Sequence, residues 1–173
     1  MSTYAEQTSV PVERSRAEIE RTLERYGADQ FLYGWDAEAA IVRFRAHGRH
    51  VAFWLPLPRR DDPKFTEYRR ARYGSSGQRS EAEALKRWEQ ACRQRWRALV
   101  LVIKAKLEAV QTGITDFESE FLAHIVLPNG QTVGALLKPQ VEQAYSSGQM
   151  PTGLLPALES GANGARPTTR RTR

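Results

Sequence analysis

Between Ala40 and Leu57 the chain alternates. Ala40, Val42 and Phe44 interleave with Ile41, Arg43 and Arg45, and after His47-Gly48 the residues Val51, Phe53, Leu55 and Leu57 interleave with His50, Ala52, Trp54 and Pro56. A repeat of two marks strands with one buried face, and a two-residue X-Gly loop between two such runs predicts a hairpin. With His47-Gly48 as the loop, Ala46 faces Arg49, Phe44 faces Val51 and Val42 faces Phe53, so one face is continuously apolar. The same register sets Arg45 beside His50, Arg43 beside Ala52 and Ile41 beside Trp54 on the other face. Upstream, Phe31, Tyr33 and Trp35 alternate with Leu32 and Gly34, and a turn over Asp36 to Ala39 sets Phe31 beside Phe44 and Tyr33 beside Val42. The pattern predicts an antiparallel meander whose outer face carries Arg43, Arg45, His50 and Trp54.

Helical spacing flanks this meander. Ala17, Ile19, Leu23 and Tyr26 predict a first helix from Val12 or Glu13 to Tyr26, with Gly27 placed to end it. Ser80 followed by Glu83 is a capping box, and no Gly or Pro occurs from there until Gly113, which predicts one long helix. Its apolar residues Leu85, Trp88, Cys92, Trp96, Leu99, Ile103, Leu107 and Val110 form a stripe fit to cover the apolar face of the meander. Phe44, Phe53, Trp88, Trp96 and Ile103 are therefore expected in one core. Farther on, Asp116 is placed to cap a helix containing Phe117, Phe121, Leu122 and Ile125, Pro128-Asn129-Gly130 reads as a turn, and Thr132 to Tyr145 reads as a helix complicated by Pro139. The expected architecture is α+β: an N-terminal helix, a meander, a long helix packed on the sheet, and short C-terminal helices. One domain over 12–150 is expected, preceded by a flexible N-terminus over 1–11 and followed from Pro151 by a disordered basic tail.

Composition changes this picture little. The 173 residues suit one domain, 40% hydrophobic and 27% charged residues are ordinary for a folded chain, and no apolar run is long enough to span a bilayer. The polar start from Met1 to Pro11 lacks the apolar core of a signal peptide, and the lone Cys92 has no intramolecular disulfide partner, so a reducing cytoplasm is expected.

Charge changes it more. The net charge of +6 is concentrated in two segments. From Pro58 to Arg79, a basic stretch expected to be a flexible loop, the bases Arg59, Arg60, Lys64, Arg69, Arg70, Arg72 and Arg79 meet only Asp61, Asp62 and Glu67. In the tail, Arg166, Arg170, Arg171 and Arg173 oppose Glu159 alone. A further stripe of Lys86, Arg93, Arg97 and Lys104 lies along one edge of the long helix, a cationic ridge at about 100° per residue.

Catalytic patterns are missing. The three histidines include no HExxH, Cys92 has no CxxC partner, and no GxxxxGK[ST], GxGxxG or GxSxG occurs. Asp116, Glu118 and Glu120 are read as acids at a helix start and Gly74-Ser75-Ser76-Gly77 as a hinge. No metal, cofactor or enzymatic activity is expected. What remains is aromatic residues among bases: Phe65 and Tyr68 sit among arginines, and single-stranded bases stack on aromatics while arginines track phosphates. The expected nucleic-acid contacts are Arg43, Arg45, Trp54, Arg59, Arg60, Phe65, Tyr68, Arg69, Arg70, Arg72, Lys86, Arg93, Arg97 and Lys104. An acidic protein surface is the alternative partner, with homo-oligomerisation open.

The stretch Arg93-Gln94-Arg95-Trp96-Arg97-Ala98-Leu99 running into Ile103-Lys104-Ala105-Lys106-Leu107-Glu108, with Phe121-Leu122-Ala123-His124-Ile125-Val126-Leu127-Pro128, resembles small uncharacterised proteins encoded by actinobacterial phages and prophages. Over roughly 30–111 the predicted order of helix, meander and long helix is similar to the core of phage single-strand annealing proteins of the RecT, Redβ and Erf type. That likeness is one of topology. It implies single-stranded DNA binding in recombination or replication; the alternative is a phage accessory or host-takeover factor.

Overall fold

The computed structural model describes Ala5 and residues 7–69 and 76–150, and it has the expected α+β architecture. Helix α1 spans Val12–Arg25, strands β1 (Gln30–Trp35), β2 (Ala39–Ala46) and β3 (Arg49–Pro56) form an antiparallel sheet in that order, and α3 (Glu81–Gln111) packs across it. Between β3 and α3 lie α2 (Pro63–Thr66) and the strands β4 (Glu67–Arg69) and β5 (Ser76–Gln78); α4 (Phe117–Phe121), a 3-10 turn (Leu122–His124) and α5 (Val133–Ser147) follow. The chain divides into two compact units, 1–135 and 136–173, with the break inside α5. The tail expected from Pro151 lies outside the described residues.

The register of the meander follows the alternation. Phe44 pairs with Val51, Val42 with Phe53, Arg43 with Ala52 and Ile41 with Trp54, while Phe31 pairs with Phe44 and Tyr33 with Val42. His47 and Gly48 both take positive φ, 50° and 71°, the left-handed conformation that a two-residue hairpin needs to match the twist of its strands. Asp36 closes the preceding turn by accepting from the amides of Glu38 and Ala39, both at 2.8 Å.

Helix α3 starts where its cap predicts, Ser80 Oγ accepting from the Glu83 amide at 3.3 Å. Cys92, Trp96, Leu99, Val100, Ile103 and Leu107 are buried, and all but Cys92 join Val42, Phe44, Val51 and Phe53 in the core. Trp88 is a correction: it is half-buried outside that cluster, and its indole Nε1 is instead tied to the segment after β3, donating to the Pro58 carbonyl at 2.7 Å. Ala17 is another, since α1 turns Ser15, Ile19, Thr22 and Leu23 inward and leaves Ala17 exposed.

The segment after Gly113 contributes more core than its length suggests. Asp116 caps α4 by accepting from the Ser119 amide at 2.9 Å, and Phe121, fully buried, meets Phe44 and Phe53 edge-on at 5.9 and 6.3 Å between ring centres. Downstream, Ile125 bridges Val51, and the Val126 amide donates to the His50 carbonyl at 2.7 Å, so this segment covers an otherwise open strand edge. His124 stacks on Phe53 at 4.0 Å, and burial, with Lys106 nearby, holds its pKa below the ordinary 6.5. The unfolded chain therefore takes up this proton first as pH falls through 6.5, so the neutral ring's contribution is complete above that value and declines below it. The expected result is a lower denaturation midpoint at about pH 5.5 than at about pH 7.5, with most of the difference removed in His124→Phe.

The stretch from Pro58 to Arg79, expected as a loose loop, holds regular structure over its described residues. Asp62 caps α2, β4 pairs with β5, and Arg79 Nη1 donates to the carbonyls of Lys64 and Phe65, both at 3.1 Å, and to that of Glu67. Gly77 lies beneath the Tyr68 ring, where a Cβ would come within 2.8 Å of the ring carbon Cζ, so a side chain here would displace the tyrosine.

In the second unit, α5 runs through Pro139, and Leu136, Val141 and Tyr145 are exposed. No helix among the described residues is long and apolar enough to cross a membrane.

Candidate nucleic-acid interface

Strand alternation sends every second side chain of the sheet away from α3. On that outer face Leu32, Arg43 and Ala52 form one row across the strands and Gly34, Ile41 and Trp54 the next. Leu32 is 58% and Trp54 52% exposed, a large apolar area for the solvent side of a sheet. The Arg43 guanidinium lies 5.8 Å from the centre of the Trp54 ring, within cation–π range. One row farther along, Arg45 grips Asp29 with both forks, Nε to Oδ1 at 2.8 Å and Nη2 to Oδ2 at 2.5 Å, and this holds the Asp29 carboxyl below its usual range. Arg43 makes no ion pair among the described residues, which leaves its charge available. Alternation alone identified Arg43, Arg45 and Trp54; it also places Leu32 on this face, but an isolated leucine in an aromatic run carries no charge or ring to draw attention.

The cationic ridge faces a partner. Helix α1 packs against α3, and Glu18 sits between two of the ridge bases, its Oε2 2.6 Å from Arg97 Nη1 and its Oε1 bonded to Lys104 Nζ. The Lys104 bond, then Arg97, keeps the Glu18 carboxyl ionised below its usual range against the opposing effect of burial. Arg93 donates twice to Gln90 Oε1, at 3.0 and 2.8 Å, and lies 3.8 Å from Glu89. Of the four ridge bases, Lys86 is exposed and has no ion pair among the described residues. Glu18→Gln should weaken two charge-assisted bonds at a half-buried, partly screened position and cost about 1 kcal/mol, read as a lower urea midpoint at unchanged m-value.

The basic segment is likewise engaged. Arg59 makes two bonds to Asp61, at 3.1 and 2.9 Å, Lys64 pairs with Asp62 at 2.8 Å, and Arg60 lies 6.0 Å over the Trp88 ring. Phe65 is a correction to the expected stacking residues: it is 5% exposed, so no base can reach its face. Tyr68 remains partly exposed over Gly77. Arg70 and Arg72, and the side chain of Arg69, lie outside the described residues.

Among the described residues no group of three potential metal ligands comes together. Asp116 caps α4, Glu118 pairs with Arg49 at 2.6 Å and Glu120 with Lys106 at 2.9 Å, so each of these acids has a structural role. Cys92 is buried, and desolvation pushes its thiol pKa up, away from nucleophilic reactivity.

The chain matches no protein-family model, no curated protein and no solved structure.

Proposed function

We propose that the protein is a non-catalytic single-stranded nucleic-acid-binding protein, with single-stranded DNA the favoured ligand, and that the outer face of the sheet is its binding surface. The observation that carries this reading is Trp54, half exposed on the outer sheet face, with Arg43, which makes no ion pair among the described residues, against its ring. An exposed indole offers a stacking plane to any base, and the adjacent guanidinium meets the phosphate that follows. Leu32 and Ile41 extend the apolar floor beside it. In a duplex the base faces are already stacked, so the surface favours unpaired strands. A setting in phage recombination or replication is part of this proposal and rests only on the topological resemblance read from the sequence.

The test is fluorescence anisotropy with single-stranded DNA, duplex DNA and RNA of one length at two salt concentrations. The expected result is tighter binding of the single strand, weakening as salt rises through counterion release. If no nucleic acid binds more tightly than about 100 μM at low salt, the reading fails and an acidic protein partner replaces it.

A further inference from the structure

On the opposite side of the sheet from Trp54, a cleft of about 570 Å³ opens between the start of α1, the β1–β2 turn and the first half of α3. Its volume falls in the range of small-molecule sites. Trp35, Trp88 and Trp96 line it, so this one cleft holds three of the chain's four tryptophans. Trp35 is 71% exposed at its mouth, although it lies on the sheet face that packs on the helix. Such an indole has one face free.

The polar groups in the cleft are of both signs. Arg16 is held with its guanidinium carbon 4.7 Å from the centre of the Tyr33 ring and 5.7 Å from that of Trp96, and its carboxylate partner is the exposed Glu13, at 3.3 Å. A guanidinium has five donors, so Arg16 retains several for a ligand. Across the cleft, Glu89 lies 3.8 Å from Arg93, beyond hydrogen-bond distance. Asp36, at the turn, is occupied by two backbone amides. The cleft thus presents a fixed guanidinium donor, Arg16, and one carboxylate acceptor, Glu89, around an aromatic floor.

A simple anion would meet the carboxylates, and a simple cation would meet Arg16 and Arg93. A planar ligand with a bidentate acceptor edge and a separate bidentate donor edge satisfies both. Among the nucleobases guanine has that pair of edges: O6 and N7 accept from a guanidinium, and N1–H and the N2 amine donate to a carboxylate. We infer that this cleft is a guanine-binding site, with the base stacked on Trp35, Arg16 reading its acceptor edge and Glu89 its donor edge. The site is separate from the sheet face, and either could exist without the other.

Trp54→Phe leaves tryptophan only in this cleft, so the fluorescence of that variant, excited at the red edge where tyrosine does not absorb, reports on it alone. Guanosine, adenosine, cytidine and uridine 5′-monophosphates carry the same phosphate and differ in the base. The expected result is saturable quenching by the guanosine nucleotide below about 1 mM, at least tenfold weaker for the other three. Trp35→Ala, at an exposed position, should weaken binding tenfold or more when read by calorimetry, and Glu89→Gln should reduce the preference for guanine while leaving stacking in place. Absence of saturable quenching in the folded Trp54→Phe protein would overturn the inference, as would equal affinity for all four nucleotides. Because Trp54 is replaced and no strand is present, failure here is distinct from failure of the sheet-face reading.

Discussion

Phe121→Ala is expected to cost about 3–5 kcal/mol, the largest loss from any single truncation outside the sheet and long helix. The ring is fully buried and is stacked on Phe117 at 4.7 Å as well as edge-on to Phe44 and Phe53. Removing it leaves a cavity that its neighbours cannot close, since β2 and β3 are fixed by their ladder and α3 by its own stripe. The stacked and edge-on ring pairs also stabilise the fold beyond the area they bury, and the truncation abolishes them. Phe121 further anchors the segment that brings Ile125 onto the edge of β3. Equilibrium urea unfolding should show the loss, and hydrogen exchange should show the amide of Val126, bonded to His50, exchanging faster. A loss below about 1 kcal/mol would mean that the segment packs loosely on the sheet.

Trp54→Ala is expected to reduce affinity for single-stranded DNA by about 1–3 kcal/mol, roughly 5- to 150-fold, because the variant removes a stacking plane. Stability should change little: the side chain is half exposed, and its departure opens no cavity. The dependence on salt should stay as it was, since no charge is removed. Binding to duplex DNA should be insensitive to the change. A variant with unchanged single-strand affinity would locate the binding surface elsewhere on the molecule.

Much of this fold could be read along the chain because its signals are local. The period of two from Ala40 to Leu57 leaves one register that keeps the apolar face continuous, and the paired residues follow it. Ser80 and Glu83 likewise mark the start of α3 within one turn. What could not be read depends on what packs against what. The spacing of Arg93, Arg97 and Lys104 correctly aligns them on one edge of α3, yet nothing in that spacing says that α1 lies along the edge with Glu18 between two of them. Phe65 sits among arginines in sequence, but capping by Asp62 folds it into α2 and buries it. The covered edge of β3 was illegible for a third reason: an isolated bridge such as Val51 to Ile125 is too short to leave a periodic pattern.

These packing differences also move the expected interface from the helix ridge to the sheet. Arg43 and Arg97 are equal candidates by composition; among the described residues one makes no ion pair and lies beside an exposed ring, and the other is held by a carboxylate. The two locations differ in the salt dependence they predict, because each phosphate neutralised by a side chain adds about 0.7 to the slope of log affinity against log salt on single strands. The direct measurement is that slope for the native protein, Arg43→Gln and Arg97→Gln, each confirmed folded by circular dichroism. Binding at the sheet face predicts a slope reduced by about 0.7 in Arg43→Gln and unchanged in Arg97→Gln. A flattened slope in Arg97→Gln with an unaltered one in Arg43→Gln would contradict it.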